Sequence, residues 1–498
     1  MKKSMAKKVI AASIAAAMTM SVAACGEEPA ASTSTPEAST STEASVSESV
    51  EASTEGEGEE VSPYTVITDA DGNPVDLGGF EMTIRDWWSG EWRDAEPATD
   101  YEEAVYAYRE WVEETYNCTI HTAALGDWGS CANDFVDYVS AGGDDQNYVW
   151  TIWSGNPTFL EAAKTGLVYD LSTLDCLDFS DRKYADNGVH KLYSLNGGTF
   201  GMHTGASEPR TGVIFNRRVL TEAGVDPDSL YDMQAAGTWT WDAFEEVLSK
   251  VQQDTDNDGT IDIWGMALNE GVATKAAVLS NGGNYVGMVD GKYTYEIENP
   301  KTLEALEWIL GIFQKYDWNG PVAEDGTAAS WDYYQGQFQS GQAAFCIDQQ
   351  YCFSPNNLFY DMEDELGFVM FPAGPQGSLV QSGEDNIYCI PGCYDADRAW
   401  KTAFCYDVFN ELVPGYEDYN PYVNTTLTGN VDTRAAEETV PMMGANSVAD
   451  YAGMIPNNGD FMNDPFVYRI GPDTDVTISE IIDGMRDIAK AYIDDANN

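Results

Sequence analysis

A chain of 498 residues with 83 acidic against 25 basic side chains has a formal charge of −58. It cannot offer the basic face that neutralises phosphates, which excludes nucleic acid as a partner and disfavours adsorption to an anionic membrane surface. The apolar, aromatic-rich body after about Tyr64 runs for over four hundred residues, more than one core serves, so two large lobes are expected.

The N-terminus reads Met1-Lys2-Lys3, then an apolar alanine-rich stretch from Val9 to Val22, then Ala23-Ala24-Cys25-Gly26. A basic start, a short apolar run and small residues before the cut make residues 1–24 a secretory signal, too short to serve as a permanent span. Val22-Ala23-Ala24-Cys25 resembles the bacterial lipobox, in which the cysteine is diacylated and becomes the first mature residue. Cys25 is thus expected to anchor the body to the outer face of the cell membrane without crossing it. From Gly26 to Val61 the chain is mostly Ser, Thr, Ala, Pro and Glu, with no Lys or Arg before Arg85, so residues 25–63 are expected to form a disordered, self-repelling spacer.

Phe80 to Trp87 alternates apolar and polar residues as a half-buried strand does, and it ends in Trp87-Trp88-Ser89-Gly90-Glu91-Trp92. Tyr101, Val105, Tyr108 and Val112 follow at helical spacing. Tyr148 to Trp153 reads as a second strand, leading through Ser154-Gly155-Asn156-Pro157 into a short helix stopped at Gly166. Gly212 to Asn216 is a compact apolar strand, and Trp241, Phe244, Val247, Leu248 and Val251 share one face of a helix. Thr477-Ile478-Ser479-Glu480 is a capping box opening a helix with the stripe Ile478, Ile481, Ile482, Met485, Ile488 and Tyr492. Strands alternating with helices predict an α/β fold with mainly parallel sheets, and the lack of a second linker predicts interwoven lobes.

Between these elements, Asp254-Thr255-Asp256-Asn257-Asp258-Gly259-Thr260-Ile261-Asp262 places carboxylates at loop positions one, three, five and nine with glycine at six. Asp254, Asp256, Asp258 and Asp262, with the Thr260 carbonyl, are the oxygens an EF-hand-type loop wraps around a hard cation, calcium by preference. Position twelve is Gly265 instead of a bidentate Glu, so a structural calcium here lacks one usual ligand. Eight cysteines follow Cys25, and their spacing does not decide a pairing. Three histidines without metal-like spacing argue against zinc.

Phe159 to Leu171, Gly198-Thr199-Phe200-Gly201-Met202, Val213 to Asp226, Thr238 to Phe244, Gly341-Gln342-Ala343-Ala344-Phe345 and Phe371 to Gly377, in this order, resemble the extracellular solute-binding proteins that include maltose-binding protein. The resemblance implies a two-lobed type II periplasmic-binding-protein fold, with the chain crossing between lobes more than once. Crossovers near 203–207 and 381–386 then give lobe one as 79–204 plus 382–428 and lobe two as 206–380 plus 432–498.

A sugar presents an apolar CH face and a rim of hydroxyls, so it calls for aromatic platforms and short polar side chains. By resemblance, Trp153 holds the position of a cleft tryptophan with Asn156 as its polar neighbour. Tyr351 takes the place of a stacking tryptophan with Asp348 close by, and Glu270 precedes Gly282-Gly283 as a ligand-binding glutamate does. From the residues alone, Trp87, Trp88, Trp92, Trp128, Trp331, Glu208, Glu384 and Arg434 join the candidates, because many of the 14 Trp and 28 Tyr fall in loops after strands.

The expected function is extracellular capture of a carbohydrate, an oligosaccharide in particular, by a monomer that delivers it to the permease subunits of an ABC importer without catalysis. The competing readings are a secreted glycosidase with paired carboxylates and a binder of another solute such as a peptide. Scarce Arg and Lys speak against anionic ligands.

Overall fold

The computed structural model describes residues 62–267, 270–318, 333–355, 357–383, 385–462, 464–467 and 476–498. The signal, Cys25 and the spacer as far as Val61 lie outside the described residues, as do Trp331 and Glu384. In chain order the strands that matter for the site are β1 (Phe80–Asp86), β2 (Cys118–Ala124), β3 (Tyr148–Ile152), β4 (Thr211–Asn216), β5 (Trp264–Met266), β6 (Ala343–Gln349), β7 (Leu366–Met370), β8 (Gln381–Gly383), β9 (Ile387–Cys389) and β10 (Ser447–Ala449). The helices are α1 (Asp100–Tyr116), α2 (Cys131–Ser140), α3 (Pro157–Lys164), α4 (Trp241–Val251), α5 (Glu270–Ser280), α6 (Pro300–Tyr316), α7 (Ala396–Phe409), α8 (Pro421–Thr426) and α9 (Ile478–Ala496).

The alternation of β1 buries Met82, Ile84 and Asp86, and α1 turns Tyr108, Val112 and Tyr116 onto the sheet. In the first sheet, ordered β9-β3-β1-β2, β1 is parallel to β2 and β3, while β9 returns antiparallel to β3. The second sheet, ordered β7-β4-β6-β5, departs from the parallel expectation: β4 runs antiparallel to both β6 and β7. Because β4 is the strand by which the chain first enters this lobe, it approaches from the hinge side against its neighbours. Every residue of β4 is buried, which accounts for its unbroken apolar run.

The chain passes between the lobes three times. Residues 203–210 lead from the first sheet to β4, and the stretch between Gly383 and Ile387 leads from β8 back to β9. The third passage lies near residue 420, earlier than the 428–432 expected. Tyr419 still stacks on Tyr101 of α1 at 3.7 Å and 19°, whereas Thr426 of α8 already accepts from the Gln350 side chain of lobe two at 2.7 Å.

Lobe one packs Met82, Ile84, Val112, Ile120, Val149 and Phe404 on one face of its sheet. On the other face Phe135, Trp150, Ile152 and Phe159 belong to a core that continues into lobe two through Val213, Phe215, Phe345 and Phe368. All eight described cysteines are free thiols. Among the described residues no helix is long and apolar enough to cross a membrane.

Candidate binding cleft

The parallel strands of lobe one end together, and their following loops carry the aromatic candidates. Asp86, buried at the end of β1, accepts from the Trp88 and Ser89 amides at 2.9 and 2.8 Å. Ala124 and Leu125 of the next strand end donate back to Ser89 and Asp86 carbonyls at 2.8 and 3.0 Å. These bonds fix a turn that presents Trp87 and Trp88 edge to face, centroids 4.9 Å apart. Trp128, after β2, stacks on Trp153, after β3, at 5.4 Å and 25°. Trp88 and Trp128 are 52% and 57% exposed, an unusual state for rings this large unless a partner covers them.

Trp92 departs from this group. The 3-10 turn Trp92–Asp94 carries it inward, where it is buried, its indole donates to the Ile120 carbonyl at 2.9 Å and its ring packs on Tyr106 and Phe409. Trp92 is therefore a core residue of lobe one. Asn156 is also committed elsewhere: it is buried and caps α3 by accepting from the Thr158 amide at 3.0 Å.

The floor between the lobes is built by the crossing segments. Asp385, fully buried, accepts from the Ser207 hydroxyl at 2.7 Å and from the Glu208 amide. The Gln381 side chain bridges the strands, accepting from the Arg210 amide at 2.6 Å and donating to the Glu208 carbonyl at 3.2 Å. Glu208 pairs with Arg210 at 2.7 Å; burial pushes its carboxyl up, and Arg210 pulls it back part of the way. Arg210 also donates to Gln349 at 3.3 Å, and His203 shares a hydrogen bond with the Asn386 carbonyl at 2.9 Å. Tyr388 lies within electrostatic reach of Asp86, Glu208 and Asp385, and Tyr422 within reach of Glu208, Asp385 and Arg210. Floor and aromatic ledge thus meet at Asp86 and Tyr388.

Of these groups the sequence singled out only Glu208. His203, Arg210, Asp385, Tyr388 and Tyr422 were missed, although the crossovers placed near 203–207 and 381–386 were the signal that polar residues there would converge.

Lobe two contributes Tyr351, 40% exposed on the 3-10 turn Gln350–Phe353 after β6, in the field of Arg210 and Glu208. Asp348 points inward instead: it is buried, accepting from the Tyr334 hydroxyl and the Gln349 amide at 2.9 Å each, and burial raises its carboxyl. Glu270 opens α5, and burial alone pushes its carboxyl up to about 7. No side chain among the described residues bonds to that carboxyl; the Thr274 hydroxyl donates to the Glu270 backbone carbonyl at 2.7 Å. Arg434 is spent within lobe two, on Glu438 at 2.7 Å, Asp232 at 3.0 Å and the face of Tyr231 at 4.9 Å. A guanidinium so engaged has no fork left for a ligand.

In the acidic loop, one carboxylate oxygen each from Asp254, Asp256 and Asp262 lie within 4.8 Å of one another. Asp258 stands outside this group of three; its carboxylate accepts from the Thr260 amide at 2.7 Å while its own amide donates to Asp254 and Asp256. Gly265 belongs to β5 and supplies no side-chain ligand. The three clustered aspartates are hard oxygen donors of the type calcium takes.

Comparison with known proteins fits this geometry. The cyclic alpha-maltosyl-1,6-maltose binding protein from Arthrobacter globiformis is similar with a TM-score of 0.58 at 14% identity, covering 84% of this chain and 100% of that one. UgpB from Mycobacterium tuberculosis, in complex with glycerophosphocholine, gives 0.56 at 14% identity over 83% and 99% of the two chains. The ABC substrate-binding protein Lmo0181 from Listeria monocytogenes, in complex with cycloalternan, gives 0.50 at 17% identity over 84% and 98%. Identities this low establish the shared two-lobed α/β fold of the type II class. Comparison with curated protein sequences yields no match. The family model described as bacterial extracellular solute-binding protein matches residues 114–403, more than half of the sequence. This chain belongs to the bacterial extracellular solute-binding proteins.

Proposed function

We propose that the protein captures a carbohydrate, an oligosaccharide in particular, between its lobes and delivers it unaltered to the permease of an ABC importer. The observation that carries this reading is the ledge of Trp88, Trp128 and Trp153, two of them half exposed, next to a floor of Glu208, Arg210 and tyrosine hydroxyls. Flat rings match the CH face of a pyranose, and charged or hydroxylic rims match its hydroxyls. Three structurally similar proteins, one in complex with cycloalternan, one with mannotriose bound and one named as a cyclic alpha-maltosyl-1,6-maltose binding protein, support the same class of solute. Titration calorimetry against a panel of linear and cyclic oligosaccharides tests it: saturable binding with unchanged sugar after long incubation is expected. Heat from none of the sugars, or release of new reducing ends, would overturn it.

In the same reading Cys25 carries the lipid that holds the body at the outer face of the membrane, and residues 26–63 are its tether. Incorporation of a labelled fatty acid that disappears in Cys25→Ser is the expected result. The loop at 254–262 holds a structural calcium through Asp254, Asp256 and Asp262.

A further inference from the structure

A ring can offer a sugar only the surface that its neighbours leave open, and the four tryptophans of the ledge differ in what is left. Trp87 and Trp153 are half-buried and pack on the core that includes Phe135 and Phe159. Trp88 meets Trp87 edge to face at 4.9 Å, and Trp128 stacks over Trp153 at 5.4 Å and 25°. Trp88 and Trp128 themselves belong to neither core and are the exposed members. Each pair therefore has an inner ring set in the lobe and an outer ring set on it.

Backbone bonds hold the outer rings in place. The Ser89 and Asp86 carbonyls, which accept from Ala124 and Leu125, tie the loop of Trp88 to the loop of Trp128. Beyond Leu125 the Asp127 carbonyl accepts from the Ser130 and Cys131 amides at 3.2 and 2.9 Å, and its carboxylate accepts from the Gly129 amide at 2.8 Å, closing a turn around Trp128. The buried Cys131 thiol donates to the Trp128 carbonyl at 3.4 Å, and the same sulfur accepts from the Trp153 backbone amide. One side chain thus fixes the backbones of both stacked rings. Among the described residues no ring contact joins Trp88 to Trp128, so the two outer rings are separate plates.

We infer that Trp88 and Trp128 are two separate contact plates for the sugar, that Trp153 is a positioning residue acting through Trp128, and that the solute spans at least two pyranose rings. An indole matches the face of one pyranose, so a solute that covers both plates carries two rings or more. An outer ring already seated on an inner one has less side-chain freedom to lose when the solute arrives. The inference rests on the carbohydrate reading of the cleft and adds to it which rings meet the solute and how short that solute can be.

Titration calorimetry on the full chain tests it, with maltotetraose, mannotriose and chitotetraose as probes, each beside its own disaccharide and monosaccharide. For the longest sugar that binds, Trp88→Ala and Trp128→Ala are each expected to weaken binding about tenfold and the double variant about a hundredfold, because separate plates add. A monosaccharide covers one plate, so at most one of the two substitutions affects it. Trp153→Ala is expected to cost as much as Trp128→Ala and nothing further when combined with it. Trp153→Phe keeps a ring beneath Trp128 and is expected to restore most of the affinity; it also carries the test if melting shows Trp153→Ala to be unfolded. Without sugar, the far-UV dichroism difference from the wild type is expected to show the same exciton couplet for Trp128→Ala and Trp153→Ala. A loss at Trp153→Ala that adds to that of Trp128→Ala would put Trp153 on the sugar and overturn the inference. Full affinity in either outer variant, or a monosaccharide bound as tightly as the longest sugar, would overturn it too. Those results leave the carbohydrate reading standing, whereas heat from no sugar overturns both.

Discussion

Trp128 gives up ring surface to water while stacked on Trp153, and that surface is what a bound sugar would cover. Trp128→Ala is expected to weaken oligosaccharide binding about tenfold, roughly 1.4 kcal/mol, near the upper end of a single aromatic stacking contribution. Its melting temperature should hardly change. Trp92→Ala is expected to do the reverse, costing roughly 3 to 5 kcal/mol of stability as a buried aromatic is removed. Calorimetry and thermal melts on the pair separate platform from core, and a stability loss at Trp128 as large as that at Trp92 would contradict the assignment. Sequence alone could not tell these tryptophans apart. Both sit in short aromatic loops, and only the 3-10 turn at 92–94 sends one inward. A sequence reading puts Asp348 and Arg434 at the ligand for a related reason, since only their partners Tyr334, Glu438 and Asp232 decide whether a charge faces a ligand or its own lobe.

Glu270 allows a sharper test at the same scale. Its ordinary value of 4.5 rises to about 7 by burial, so the folded state keeps the proton over that window while the unfolded chain has released it. The resulting stability is complete below about 4.5 and is lost as the pH rises through 7. Glu270→Gln has no proton to lose. At pH 8 it is expected to be more stable than the wild type by about 3 kcal/mol, and to differ little at pH 4. A difference that does not vary with pH, measured by denaturant titration at both values, would show the carboxyl to be solvated.

At the scale of elements, periodicity carried most of the information and chain direction carried what it could not. The capping box at Thr477 and Glu480 is present as read. The buried stripe of α9, however, runs through Ala489 and Ile493 while Ile488 is 41% exposed. A helix of 3.6 residues per turn keeps Ile478, Ile481, Ile482 and Met485 on one face and then needs small or apolar residues four and eight positions on, a step that hydrophobicity by itself obscures. Alternation likewise marked β1, and an apolar run marked β4, yet neither pattern tells parallel from antiparallel neighbours. The acidic loop after α4 shows the same division. Its spacing named the donors, and the fold of the loop gathers three of the four carboxylates. With only three clustered carboxylates and no bidentate twelfth ligand, weak binding is expected, so millimolar calcium should raise the melting temperature and excess chelator should lower it again. Asp254→Ala should abolish that shift, and a calcium-induced rise that survives the substitution would place the ion elsewhere.

For the whole molecule, three passages of the chain tie the lobes together beside Asp385, while the backbones of Gly155 and Gly453 meet across them. The excess of acidic over basic residues, −58 over the whole chain, acts as a distributed repulsion that no single contact relieves. Salt screens two opposing sets of interactions. The attractive set is bounded by the 25 basic residues, and many of its described pairs, such as Arg218 with Asp364 and Arg486 with Glu298, are partly exposed. Pairs of that kind contribute about 0 to 1 kcal/mol each, so screening them costs little. The repulsive set involves the excess carboxylates, and those more than roughly 10 Å apart are decoupled by 0.1 M salt. Repulsion therefore loses more than attraction does. The melting temperature is expected to rise between about 10 mM and 300 mM sodium chloride, most steeply at the low end where the screening length shortens fastest. A neutral osmolyte at equal osmolality should not reproduce the shape of that curve. A melting temperature that falls with salt would mean that the buried pairs, Lys183 with Asp407 and Lys275 with Asp450, outweigh the excess negative charge.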